Sequence, residues 1–239
     1  ETDSGLDLTC TPYHKFYVQR GYARGTGDNK LQILEKRANE LSPGDKLIKF
    51  DLPVIEGSKT LGKAYENGFY SGDGCEIVKG KNQRIYLYHE KRDLLNKFKD
   101  IDNRYDQPDQ KRTILTYNGK LEDKFFVPDS SYTIKSRLEW LAGYFDADGC
   151  VYRNADNQQI VATSVNKDFL DNILLMLQTM GIHSKVTTCA EEGFKSLPKN
   201  DGTGDSEEFY CQKAYRLIIP SVQTQLLLSM GIKFERLSL

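Results

Sequence analysis

No apolar run in this chain approaches the roughly 18 residues that a membrane-spanning helix requires, and no signal-peptide pattern opens it. A membrane partner is therefore not expected. Cys-x-x-Cys spacing is also missing. The five cysteines, Cys10, Cys75, Cys150, Cys189 and Cys211, are odd in number, and this excludes a fully paired disulfide framework. They read as free thiols of a reducing intracellular compartment (cytoplasm or nucleus), with no zinc site. A basic excess is absent too, since 33 lysines and arginines face 34 aspartates and glutamates for a formal net charge of −1. That argues against nucleic-acid binding, because most such proteins are basic. Net charge is a weak test, however: the distribution of the cations matters more than their sum. Lys79, Lys81 and Arg84 cluster, as do Lys111 and Arg112, while acids gather elsewhere, as from Asp201 to Glu208.

What is present suits a soluble globular protein of one large or two modest domains: 239 residues, 38% hydrophobic and 28% charged. The most specific feature is the string Leu141-Ala142-Gly143-Tyr144-Phe145-Asp146-Ala147-Asp148-Gly149, with a weaker copy at Gly68-Phe69-Tyr70-Ser71-Gly72-Asp73-Gly74. Each places small residues four apart, and each presents an aspartate before a glycine. On helices, Gly68/Gly72 and Gly143/Ala147 form sides almost without bulk, so two backbones can touch. The glycine after each aspartate suits the residue just past a helix C-terminus. Asp73 and Asp148 would then end two adjacent helices, where the dipole disfavours a carboxylate. A divalent cation with oxygen ligands, such as Mg²⁺, relieves that conflict. The ordinary alternative, two solvated caps, fits the first segment better than the second.

These residues carry a resemblance. Leu141–Gly149 differs from the LAGLIDADG motif only at Tyr144 and Phe145, and the chain resembles the two-motif, single-chain LAGLIDADG homing endonucleases. The first copy departs from the pattern at Glu66, Asn67, Ser71 and Gly72. A second signature lies upstream. Thr11-x-x-His14, within a strand-like run over 8–18, precedes Ala38-x-Glu40-Leu41-x-x-Gly44-Asp45. This order resembles the N-terminal splicing region of an intein (a Hint domain), with Thr11 and His14 as the residues that polarise the first junction. An intein begins with Cys or Ser and ends with His-Asn. Here Glu1 and Arg236-Leu237-Ser238-Leu239 stand at those places, so the segment as given is not expected to splice.

The expected organisation is a partial Hint-like segment over 1–55 and an endonuclease domain over 56–239, its halves spanning about 58–130 and 131–239. Periodicity predicts helices at 60–72 and 90–101, a hairpin at 75–88 and a strand at 111–117 in the first half. In the second it predicts helix 135–147, strands 150–154 and 159–165, a helix capped by Asn166 and stopped by Gly181, strands 184–189 and 213–219, and a last helix opened by Pro220. The stretch from Glu191 to Glu208 reads as a loop insertion. The fold class is α+β, and the resemblance implies a pseudo-two-fold αββαββα repeat whose sheets form a saddle over DNA.

The resemblance further implies a metal-dependent enzyme that breaks both strands of a long asymmetric site in double-stranded DNA, as a monomer. Asp73 and Asp148 would bind Mg²⁺ or another divalent cation, helped by the carbonyls of Gly72 and Ala147. Lys124, in Asp123-Lys124-Phe125-Phe126-Val127-Pro128, is the candidate catalytic lysine of the first half and Lys213 that of the second. Base contacts in the major groove would fall to Lys79, Lys81, Arg84, Tyr86, Arg153, Asn154, Gln159, Thr163 and Lys185. The rival expectations are a degenerate nucleic-acid-binding or maturase-like module, and a protein that is chiefly a splicing element.

Overall fold

A computed structural model describes residues 2, 8–48, 51–78, 81–154, 157–199 and 205–239. The chain falls into two compact units, one reaching Asp51 and the other running from Leu52 to Leu239. In the first, β1 (Lys15–Arg20), β2 (Gln32–Arg37) and β3 (Lys46–Leu47) form an antiparallel sheet in the order β2-β1-β3. The strand expected from residue 8 begins only at Lys15. Before it the backbone turns, with the His14 amide donating to the Thr11 carbonyl at 3.0 Å. His14 is exposed, its ring edge-on to Phe16.

The second unit is built on two helices that touch. Helix α1 (Ala64–Asp73) starts later than periodicity predicts, because Lys63 takes a left-handed φ of 53°. The Asn67 amide closes the start by donating to the carbonyls of Gly62 and Lys63. Helix α2 (Ile134–Asp148) opens on Thr133, whose hydroxyl accepts from the Ser136 amide. A Cβ on Gly68 would lie 1.8 Å from the Trp140 carbonyl oxygen, and one on Gly143 would lie 2.0 Å from that of Tyr65. Backbone meets backbone, as the spacing of small residues implies.

The glycines after the aspartates serve differently from expectation. Gly74 and Gly149 have φ of −91° and −77°, in extended rather than left-handed backbone. A Cβ would sit 2.2 Å from the Tyr70 carbonyl oxygen in one case and 2.6 Å from that of Phe145 in the other. Space, not positive φ, selects glycine there.

Each helix leads into a four-stranded sheet. The first comprises β4 (Gly74–Val78), β5 (Lys81–Tyr88), β6 (Asn103–Gln107) and β7 (Arg112–Tyr117), in the order β4-β5-β7-β6. In the second half come β8 (Gly149–Asn154), β9 (Asn157–Ser164), β10 (Lys185–Ala190), β11 (Gly193–Pro198), β12 (Ser206–Cys211) and β13 (Ala214–Ile219). Four of these pair as β10-β13-β9-β8, the first sheet's order, while β11 and β12 form a separate hairpin. That hairpin stands where a loop was expected. Strand β6 was not anticipated either, since Asn-Arg-Tyr-Asp-Gln shows no apolar alternation and lies exposed on an edge.

Between the strand pairs the halves diverge. Helix α3 (Lys167–Gln178) buries Phe169, Leu170, Ile173, Leu174, Met176 and Leu177, and Asn166 caps it. The helix predicted at 90–101 is instead a 3-10 helix, His89–Lys97, in which Leu94 alone is buried. So short a stripe has little to gain from a regular α-helix. Helix α4 (Ser221–Ser229) closes the second half, whereas residues 118–133 close the first without a helix or strand. Phe69, Ile85, Leu87, Phe98, Leu115 and Tyr117 form one core, and the larger core lies around α2, α3 and the second sheet. Among the described residues no helix is long and apolar enough to cross a membrane.

Candidate functional site: two acidic helix ends

The helix pair brings its two C-termini together, and Asp73 and Asp148 are the last residues of α1 and α2. A Cβ on Gly72 would lie 3.0 Å from Asp148 Cγ, so that carboxyl rests against the final turn of α1. Asp148 keeps an exposed face, yet desolvation at the crowded helix ends raises its pKa, and the charge of Asp73 raises it further. Burial likewise raises that of Asp73, opposed chiefly by its hydrogen bond with Lys91.

Cations converge on these ends. Lys124 Nζ donates to the carbonyls of Gly72 (2.7 Å) and Tyr70 (2.8 Å), the latter also accepting from the Gly74 amide that ends α1. Burial pulls the Lys124 pKa down to about 8, with Asp148 and then Asp73 acting against it. Lys91, from the 3-10 helix, pairs with Asp73 at 2.5 Å. At the α2 end the corresponding cation is Arg236, which the sequence reading did not single out. Its guanidinium donates to the carbonyls of Phe145, Asp146 and Gly149, and at 3.5 Å to that of Ala147. Lys213, the candidate for this half, pairs instead with Glu191 at 3.1 Å, and the cations that act on Asp148 are Lys91, Lys124 and Arg236. A faint signal pointed to the tail: Lys-Phe occurs at 124–125 and again at 233–234, after each sheet.

Asp146, the earlier motif aspartate, faces away from this site. It is fully buried and accepts from the Tyr65 hydroxyl and the amides of Glu235, Arg236 and Leu237. It thereby straps the C-terminal segment to α2 and delivers Arg236. Ser71, the matching residue of the first motif, only donates back to the Asn67 carbonyl.

Strand register sorts the remaining candidates. Arg84 and Tyr86 lie on the half-open face of the first sheet, across from Thr116 and Ile114. Gln159, Thr163 and Lys185 share the corresponding face of the second, with Tyr152, Arg216 and Ile218 opposite them. Arg153 alternates with Tyr152 and so turns to the other face, where it donates to the Ser238 carbonyl. Strand alternation thus sets it on a different face from the other candidates. Lys81 and Asn154 are placed in β5 and β8 by backbone only, and Lys79 lies outside the described residues. Three further residues join the open faces: Arg112, noted in sequence only as part of a basic cluster, over the stacked rings of Tyr86 and Tyr88, and Tyr105 opposite Ile114 and Arg216 opposite Thr163, which sequence did not single out.

The donors at the helix ends are oxygens: two carboxylates whose charges repel, beside the carbonyls of Gly72 and Ala147. That set suits a hard divalent cation such as Mg²⁺. Among the described residues no group of three or more His, Cys, Asp or Glu gathers for a metal, so any cation here rests on these donors and on whatever it binds.

The chain is similar to several known proteins. The profile of the LAGLIDADG-like domain family matches residues 135–232. The chain is 37% identical over 245 residues to the ribonucleoside-diphosphate reductase large subunit of Invertebrate iridescent virus 6, covering 99% of this chain and 25% of that protein. It is 24% identical over 261 residues to the ATP-dependent DNA helicase Hel308 of Methanocaldococcus jannaschii, covering 92% of this chain and 19% of that protein. The chain thus spans a quarter or less of the length of these curated relatives. Among solved structures, I-DmoI in complex with DNA and Ca aligns with a TM-score of 0.42 at 14% identity, over 74% of this chain and 92% of that one. That profile match lies within the second of the two joined halves.

Proposed function

We propose that this chain is the endonuclease-bearing part of an intein, a site-specific homing endonuclease that hydrolyses both strands of a long asymmetric duplex target. One observation carries the reading: glycine-mediated contact of α1 and α2 sets Asp73 and Asp148 side by side at two helix ends. Asp73 and Asp148, with the carbonyls of Gly72 and Ala147, would hold the divalent cations. Bound there, such cations supply an activated water and stabilise the leaving 3′ oxygen. Lys124 and Arg236 add positive charge to carbonyl-rich helix ends, and so favour an approaching phosphate. Arg236 takes the role first assigned to Lys213. The open sheet faces would lie on the duplex, with Arg84, Arg112, Tyr86, Gln159, Thr163, Arg216 and Lys185 as contacts, and phosphate contacts make the binding steeply salt-dependent.

The intein context is supported by the relatives. A reductase subunit and a helicase share no chemistry, yet each matches this chain over a quarter or less of its length. A segment found within unrelated enzymes behaves as an insert. The β-sheet unit before Leu52 is consistent with part of a splicing region, with Thr11 and His14 at a turn ahead of β1.

The test is incubation with Mg²⁺ and a duplex carrying the uninterrupted reductase coding sequence. Both strands should be cut at one position, and the Asp148→Asn variant should cut about 10² to 10³-fold more slowly. Tight binding of that duplex without nicking would favour the rival reading, a DNA-binding module, which the Lys91 contact on Asp73 already suits.

A further inference from the structure

The cations around the helix ends are not equivalent. Lys124 and Arg236 bind main-chain carbonyls, whereas Lys91 binds a carboxylate itself. Its ammonium lies 2.5 Å from Asp73 Oδ2, with both side chains largely shielded at 18% and 17% exposure. The contact is built from a fixed backbone. His89 turns the chain out of β5 with a left-handed φ of 48°. Leu94 and Phe98 then bury against the first core, with Phe98 edge-on to Phe69 of α1 at 5.1 Å. The Lys99 amide donates to Glu66 of α1 at 3.1 Å, pinning the far end of the segment. Lys91 is therefore presented to Asp73 by an element anchored on the same helix.

We infer that Lys91 is a resident counter-ion of Asp73 that a divalent cation must displace, so that the two motif carboxylates load metal unequally, Asp148 more readily than Asp73. This rests on the reading of both aspartates as cation ligands. A shielded carboxylate needs compensating charge, and an ammonium at hydrogen-bond distance supplies it. A metal ion at Asp73 competes with that ammonium, whereas among the described residues no side-chain cation is hydrogen-bonded to the Asp148 carboxylate, so a metal ion held there displaces none of them. The arrangement keeps the first-half site closed until metal and substrate phosphate together outweigh Lys91.

The test is a Mn²⁺ titration of the full chain without DNA, followed by the loss of the free Mn²⁺ paramagnetic resonance signal. The wild-type chain should show a tighter component abolished by Asp148→Asn and a weaker one abolished by Asp73→Asn. Lys91→Met should tighten the weaker component about tenfold, the effect of deleting one charge-assisted hydrogen bond from a competitor. Lys91→Arg should restore the weak affinity. Lys97→Met, which removes a lysine of the same segment that pairs with Glu235 instead, should leave both components unchanged. Thermal unfolding of each variant confirms the fold. Unchanged or weaker Mn²⁺ binding by folded Lys91→Met overturns the inference alone. Mn²⁺ binding indifferent to both aspartates overturns the ligand reading beneath it.

Discussion

The two halves of the larger unit share a plan and differ in how they finish it. Both run helix, hairpin, connecting segment and two further strands of the sheet, the second half adding the β11–β12 hairpin between them, and both four-stranded sheets have one strand order. In the first half the connection is a 3-10 helix that reaches back to the aspartate through Lys91, and a loop lysine caps the helix end. In the second the connection is an amphipathic α-helix committed to the core. There the helix end is capped from the C-terminal segment by Arg236, and Asp146 anchors that segment. The comparison teaches that the repeat preserves the helix contact and the last aspartate, while the cations that serve them come from different places in each half.

The largest effect should come from erasing what the halves share. Asp73→Asn and Asp148→Asn should each lower duplex cleavage by about 10² to 10³-fold, measured on a supercoiled plasmid bearing the target. Next is the contact that joins them. Gly143→Val places carbon where the Tyr65 carbonyl lies and should destabilise the fold by roughly 3 kcal/mol in urea unfolding. A cost under about 1 kcal/mol would mean that the helices do not meet at these glycines.

The differences can then be sharpened. Asp146→Ala strands buried donors of the strap and should cost about 2–3 kcal/mol. Ser71→Ala at the matching place should cost less than about 1 kcal/mol, since it loses one hydrogen bond to an already bonded helix turn. Equal costs would erase the distinction between strap anchor and helix filler. The smallest effect belongs to Lys213. Paired with exposed Glu191, Lys213→Ala should leave cleavage unchanged, whereas Arg236→Met should reduce it about tenfold or more.

Much of this was legible in residue order, and the reasons are local. Small residues four apart, followed by Asp-Gly, define a tight helix pair without tertiary information. The alternation in β5 and the apolar stripe of α3 likewise report their own faces. Even there the reason for Gly74 and Gly149 differed, because close approach to a carbonyl leaves the same sequence mark as a left-handed stop. What stayed hidden is long-range. Arg236 reaches α2 from a segment remote in sequence, and only the buried bonds to Asp146 reveal why it must. Lys91 sits in a charged string with the look of a solvated helix face. Arg153 falls on the face opposite the other candidates by one step of alternation, which decides the face of a strand but depends on where the hairpin begins.

The central claim is that one shared acidic site lies where the two helices end. Crystals of the chain grown with its duplex and Mn²⁺, measured at the manganese absorption edge, test it most directly. The account predicts anomalous peaks within coordination distance of the Asp73 and Asp148 carboxylates. Manganese bound elsewhere on the protein, with those carboxylates turned apart, would contradict it.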